Sequence, residues 1–160
     1  MKNYSIGTSC RIQITKIMYT ETGHRLLNYD GLCAHLHGHS YKWEVTVSAP
    51  HLDGRGFVMD YKELKSAMKQ IIGPLDHSFL FHADDPLFQS LSSEDIGLRA
   101  SNGDTGRYMK LPFNPTTENI LRWICPLLEF ALEDEFTLER VKLWETATSF
   151  GEWINESIND

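Results

Sequence analysis

The sequence predicts an α+β domain: an antiparallel sheet of four strands with two helices on one face. Three observations carry this. Strand-like runs open the chain, two runs of helical period occupy its middle and later part, and strand-like runs return near the C-terminus. Strands followed by helices and then strands favour helices gathered on one face of an antiparallel sheet. The chain has 160 residues, 41% hydrophobic and 23% charged, which suits one domain, 1–160, with a real core.

The first strand is read in "RIQITKIMYT", Arg11–Thr20, from its β-branched residues. Turn residues Asn28, Asp30 and Gly31 follow. In "SYKWEVTVSA", Tyr41, Trp43, Val45 and Val47 alternate with Lys42, Glu44 and Thr46, so one face is apolar. Pro50 and "DGRG" end this second strand. The first helix starts with Asp60 as N-cap and Glu63 three residues on. Its apolar stripe is Leu64, Met68, Ile71 and Ile72, and Gly73–Pro74 stop it. Residues 82–113 form a long polar stretch without a sustained period, read as an insertion. Asn114 is expected to cap the second helix, with Pro115 at its first position. Ile120, Ile124, Leu127, Leu128 and Ala131 make its expected buried stripe. "TLERVKLWETAT" is the third strand and "FGEWI" the fourth.

Composition excludes several classes. A net charge of −7 and a pI near 5.4 argue against binding nucleic acid through a basic surface. Three cysteines do not make a disulfide framework and suggest a reducing compartment. The first residues lack the apolar run of a signal peptide, and no stretch is long and apolar enough to span a bilayer. A soluble, cytoplasmic protein is expected, with no membrane partner.

The chemistry concentrates in "CAHLHGHSY", Cys33–Tyr41, which holds three of the seven histidines and one cysteine. His37 and His39 are two apart, so on a strand both rings take one face, about 6.5–7 Å apart at the backbone. Two imidazoles so placed can converge on one ion. If the strand begins early, Cys33 and His35 join that face. A catalytic zinc site needs a third protein ligand and an open position, and His24, after the first strand, is the best candidate. The plain alternative is that the pair is exposed or satisfied by ordinary polar contacts. Asp76–His77 can form a proton relay, or merely a turn or helix-end cap. Glu145 shares strand parity with Val141 and Leu143. It is either a solvated strand-end residue or a buried carboxylate that needs donors from a ligand.

These pieces occur together in a recognisable order: His24 followed by "RL", the C-x-x-x-H-G-H of Cys33–His39, "LDH" at Leu75–His77, "NPTTEN" at Asn114–Asn119, and "ET" at Glu145–Thr146. In this the chain resembles the 6-pyruvoyl-tetrahydropterin synthase and 6-carboxytetrahydropterin synthase family, over nearly its whole length apart from residues 82–113. The resemblance implies the tunnelling fold, with a four-stranded antiparallel sheet and two helices, in trimers or hexamers whose active sites lie between subunits. It implies Zn2+ held by His24, His37 and His39. Cys33 would be the general base, with Asp76 and His77 assisting, and Glu145 would anchor the pterin ring through its 2-amino and N3 positions, with Thr116 and Thr117 nearby. The implied substrate is 7,8-dihydroneopterin triphosphate. The implied activity is that of a carbon–oxygen and carbon–carbon lyase giving 6-carboxytetrahydropterin, acetaldehyde and triphosphate on the way to 7-deazaguanine and queuosine. Ser40, in "HGHS", resembles that branch more than the pyruvoyl branch, which stays as the alternative. A non-catalytic zinc-containing pterin-binding protein is the alternative of another class. Arg25, Lys42 and Arg107 are unranked candidates for the triphosphate.

Overall fold

A computed structural model describes residues 11–89 and 107–156. Six strands form one sheet: β1 (Gln13–His24), β2 (His37–Ser48), β3 (Ser78–His82), β4 (Arg107–Leu111), β5 (Thr137–Thr146) and β6 (Ser149–Ile154). Their order across the sheet is β4-β3-β1-β2-β5-β6. The neighbours β1–β2, β2–β5 and β5–β6 are antiparallel, whereas β1–β3 and β3–β4 are parallel. The expected four-stranded antiparallel sheet is therefore the central and C-terminal part of a six-stranded mixed one. The two added strands are five residues each, too short to show a period in the sequence. β4 falls inside the stretch read as a featureless insertion, as does the short α2 (Pro86–Gln89). The rest of that stretch, 90–106, lies outside the described residues.

The two long helices are α1 (Tyr61–Ile71) and α3 (Thr117–Ala131). They pack against each other on one face of the sheet, α3 against β5 and β6 and α1 against β1. Tyr41, Trp43, Val45 and Val47 point into this layer, as their alternation predicts, and meet Leu64, Met68, Ile72, Ile120, Ile124 and Leu128. Asp60 caps α1 as expected, accepting a hydrogen bond from Lys62 N at 2.8 Å.

α3 departs from expectation at both the cap and the stripe. Its N-cap is Thr116, whose hydroxyl accepts from Asn119 N at 3.3 Å. Asn114 instead bonds the backbone of Leu27 on both sides, accepting from its N–H at 2.7 Å and donating to its carbonyl at 2.9 Å. The buried face also differs from the expected stripe at its edges. Leu121 and Cys125 take the core positions, Leu127 is 40% exposed, and Ala131 is only half-buried.

The uncovered face of the sheet carries a cross-strand row, Tyr19 opposite Lys42, Lys42 opposite Trp144, and Trp144 opposite Phe150. The next row is Ile17, Glu44, Lys142 and Glu152.

Candidate metal centre

β1 runs four residues further than its apolar alternation suggests, so His24 is its last residue and not part of a turn. β2 begins at His37, directly opposite His24 in the antiparallel ladder. His39 lies two residues on and opposite Thr22, on the same face as His37. Register alone thus gathers three imidazoles, with ring centroids 4.4, 5.0 and 5.1 Å apart. Gly38 permits the close pairing, because a Cβ there would come within 3.0 Å of the Thr22 carbonyl. Cys33 and His35 do not extend the line. Cys33 sits in a 3-10 turn, Leu32–Ala34, before the strand starts, and the His35 side chain is exposed.

The donor set suits a metal. His24 Nδ1 donates to the Pro115 carbonyl at 2.8 Å, and His37 Nδ1 donates to the His35 carbonyl at 2.8 Å. Each bond fixes the tautomer that leaves Nε2 as a bare lone pair. The Nε2 atoms of His24, His37 and His39 are all buried and, among the described residues, without a hydrogen-bond partner. One ligand atom from each lies within 4.8 Å of the others. Three such nitrogens would hold one ion of the kind that imidazoles bind at roughly 2.0–2.1 Å. Burial pushes His24 and His39 below the ordinary imidazole value, favouring the neutral form that ligates.

Glu145 enters this cluster through a backbone irregularity. The β5–β6 register shifts between Trp144 and Thr146, leaving Glu145 as the extra residue of a bulge. Its Oε1 lies 3.5 Å from His39 Nε2 and 3.6 Å from His24 Nε2. These contacts are too long for hydrogen bonds, and both imidazoles favour the neutral form. The carboxylate faces the imidazole cluster instead of forming a tight ion pair. Tyr41, 1% exposed, lies below it with its hydroxyl oxygen 3.5 Å from Oε1. Desolvation, reinforced by Glu145 and Cys33, pushes the Tyr41 phenol well above its ordinary value. Sequence reading missed Tyr41 as a site residue; its core parity with Trp43 hid it.

Asp76 and His77 do pair, Nδ1 to Oδ2 at 3.0 Å. Asp76 also accepts from Glu21 N at 2.9 Å, and His77 N donates to the Glu21 carbonyl at 2.7 Å. His77 has φ 55°, an uncommon conformation for a non-glycine residue, and its side chain is 77% exposed. His77 and His39 line one open cavity of about 460 Å³ with Glu21, Ser40, Phe79 and Tyr108. Cys33 is not among its lining residues.

Among the described residues, Thr117 Oγ1 is buried without a partner at the start of α3. Arg25 is committed to the fully buried Asp85, Nε to Oδ2 at 2.9 Å, and Lys42 to Glu44. The Arg107 side chain lies outside the described residues.

A family model described as 6-pyruvoyl tetrahydropterin synthase matches residues 13–155. The chain belongs to that family. Among curated relatives, the 6-carboxy-5,6,7,8-tetrahydropterin synthase of Aquifex aeolicus is 34% identical over 90% of this chain and 98% of its own. The Haemophilus influenzae protein of the same name is 32% identical over 88% and 97%. A dihydroneopterin monophosphate aldolase of Pyrococcus furiosus is 31% identical over 74% and 79%. The fold is similar to an uncharacterized protein of Wolinella succinogenes, with a TM-score of 0.76 at 27% identity over 92% of this chain and all of that one. It is also similar to Plasmodium vivax 6-pyruvoyltetrahydropterin synthase, with a TM-score of 0.64 at 16% identity over 92% and 99%. No helix among the described residues is long and apolar enough to cross a membrane.

Proposed function

We propose that this protein is a zinc-dependent 6-carboxy-5,6,7,8-tetrahydropterin synthase acting in 7-deazaguanine and queuosine biosynthesis. It would convert 7,8-dihydroneopterin triphosphate to 6-carboxytetrahydropterin, acetaldehyde and triphosphate. The observation that carries the reading is the set of three buried Nε2 atoms, all unpartnered and converging from β1 and β2. The names of the relatives at 34% and 32% identity support the carboxy product. By the same resemblance the working form is a cytoplasmic trimer or hexamer with active sites between subunits.

His24, His37 and His39 would hold the ion, and the Pro115 and His35 carbonyls keep two of the rings oriented. When bound, zinc supplies Lewis-acid polarisation of the side-chain oxygens of the substrate. Cys33 is the proposed base that removes a side-chain proton. Asp76 holds Nδ1 of His77, and that exposed pair exchanges protons with solvent. Thr117 offers the unpartnered hydroxyl to the pterin, while the Thr116 oxygen is engaged in capping α3. Glu145 is the proposed substrate-binding carboxylate. Its place against two ligand imidazoles directs it to the end of the pterin nearest the metal, the hydroxylated side chain.

The deciding experiment incubates purified protein with 7,8-dihydroneopterin triphosphate, follows the pterin by mass and traps volatile aldehyde. Acetaldehyde equal to pterin consumed is the expected result. A pterin keeping its three-carbon side chain would move the protein to the pyruvoyl branch. The Pyrococcus relative motivates a further reading, retro-aldol cleavage of a dihydroneopterin phosphate. A hydroxymethylpterin product would establish it. No consumption of substrate would leave a zinc-containing pterin-binding protein.

A further inference from the structure

We infer that Thr22 is a positioning residue: its buried hydroxyl, together with that of Ser78, holds the Leu75 carbonyl and so fixes the turn that presents Asp76 and His77. This rests on the reading of Asp76 and His77 as a proton relay. Thr22 Oγ1 donates to the Leu75 carbonyl at 2.9 Å, and Ser78 Oγ donates to the same oxygen at 2.6 Å. All three residues are buried. A carbonyl oxygen has two lone pairs and can take both donors. The Thr22 proton has a second acceptor in reach, Thr20 Oγ1, at 3.2 Å. That is beyond the usual O–H···O range, and Thr20 Oγ1 already accepts from Trp43 Nε1 at 3.1 Å. The proton therefore goes to the Leu75 carbonyl.

Thr22 stands where such a hold has consequences. In the sheet it lies opposite His39 of β2 and opposite Ser78 of β3, so it joins a candidate metal ligand to the residue that follows the relay. Its neighbour Glu21 grips the turn by backbone alone, donating to Asp76 Oδ1 at 2.9 Å and accepting from His77 N at 2.7 Å. Any residue but proline can make those two bonds, whereas the bond to Leu75 needs a hydroxyl at position 22. His77, at φ 55°, holds a conformation that a non-glycine residue keeps only where its surroundings over-determine it. Hydroxyls from β1 and β3 on the Leu75 carbonyl, and the Glu21 carbonyl on the His77 N–H, are such surroundings. Thr22 acts through this turn and touches no reacting atom itself.

The test uses the zinc-loaded protein and Thr22→Val, which keeps the shape of the side chain and removes the donor. Hydrogen exchange at the His77 amide should quicken by about tenfold while the β2–β5 ladder keeps its protection. Zinc content should stay at wild type. With 7,8-dihydroneopterin triphosphate, kcat should fall by about tenfold and KM change by less than about twofold. Thr22→Ser keeps the donor and should restore both readouts. Thr22→Ala removes the same donor without a buried branch and should repeat the valine result. Adding Thr22→Val to His77→Ala should cost little more than His77→Ala alone, because the group that Thr22 positions is gone. Equal losses in both backgrounds would mark a merely structural role and overturn the inference. Wild-type exchange at His77 in Thr22→Val would overturn it too. Wild-type turnover in His77→Ala would instead sink the relay reading, and the role inferred for Thr22 with it, whatever the exchange shows.

Discussion

His24, His37 and His39 make the sharpest claims at the scale of single residues. Backbone carbonyls set the tautomers of His24 and His37, and among the described residues no hydrogen bond engages the Nε2 atom of any of the three. His37→Ala or His39→Ala should drop zinc per chain well below one, measured by metal analysis of the purified variants. Cys33→Ala should retain the metal and lose turnover; loss of zinc in that variant would make Cys33 a ligand. Cys125 offers a contrast. It is fully buried on α3, and burial pushes its thiol up to about 12. Peptide mapping after alkylation of the native protein at pH 8 should find Cys125 unmodified, and rapid labelling there would show that α3 opens. Glu145 separates two expectations. A contact to the ring would weaken neopterin and 6-methylpterin equally in Glu145→Gln. A contact to the side chain would weaken neopterin alone, and the carboxylate's place beside the metal ligands favours the second result. The histidine pair was legible because strand parity is a local rule. His24 opposite His37 was not derivable from local pattern, since nothing in the sequence states how far β1 runs or in which register it pairs.

Among the helices, α3 differs from its expected start signal and, separately, from its expected stripe. Asn114–Pro115 matches the usual start signal, yet Asn114 is spent holding Leu27, and Thr116 caps α3. Thr116→Ala should lower stability by about 1 kcal/mol, as loss of a cap does. Leu128 is 1% exposed and its neighbour Leu127 40%. Leu128→Ala should cost about 2–5 kcal/mol, whereas Leu127→Ala should stay within about 0.5 kcal/mol. Denaturant unfolding of the two variants checks this, and equal losses would restore the stripe read from sequence. α1 needed no such correction, because Asp60 and Gly73–Pro74 bracket a clean apolar period. β3 and β4 escaped notice for a different reason. Parallel partners lie far apart in sequence, and each strand is a five-residue run that no turn chemistry links to its neighbour.

On the scale of the whole molecule, the two long helices among the described residues lie on one face of the sheet. The other face is neither polar nor empty of large side chains: Tyr19 is 62% exposed, and Ile17, Tyr108 and Phe150 are also well exposed. Two of its lysines are paired within the chain, and Arg140 on the same face donates to the Thr46 hydroxyl at 3.4 Å. Lys42 meets Glu44 and lies over the Trp144 ring at 5.2 Å, while Lys142 meets Glu152 at 3.6 Å and lies over Phe150 at 4.7 Å. Apolar groups among internally neutralised charges can be buried against another surface at small electrostatic cost. The proposed oligomer would use this face, and the exposed Asp76–His77 pair would then lie near a subunit boundary. Sedimentation should give a mass that is a multiple of 18.4 kDa. Ile17→Glu places a carboxylate opposite Glu44, where like charges across a ladder repel, and adds an unpaired charge to the buried surface. That variant should shift toward the monomer while keeping its three-histidine metal site, because Ile17 lies seven residues from His24 on the opposite face of β1. A wild-type protein sedimenting as a monomer would remove the oligomer from the proposal. An Ile17→Glu protein with unchanged mass would place the interface on another surface.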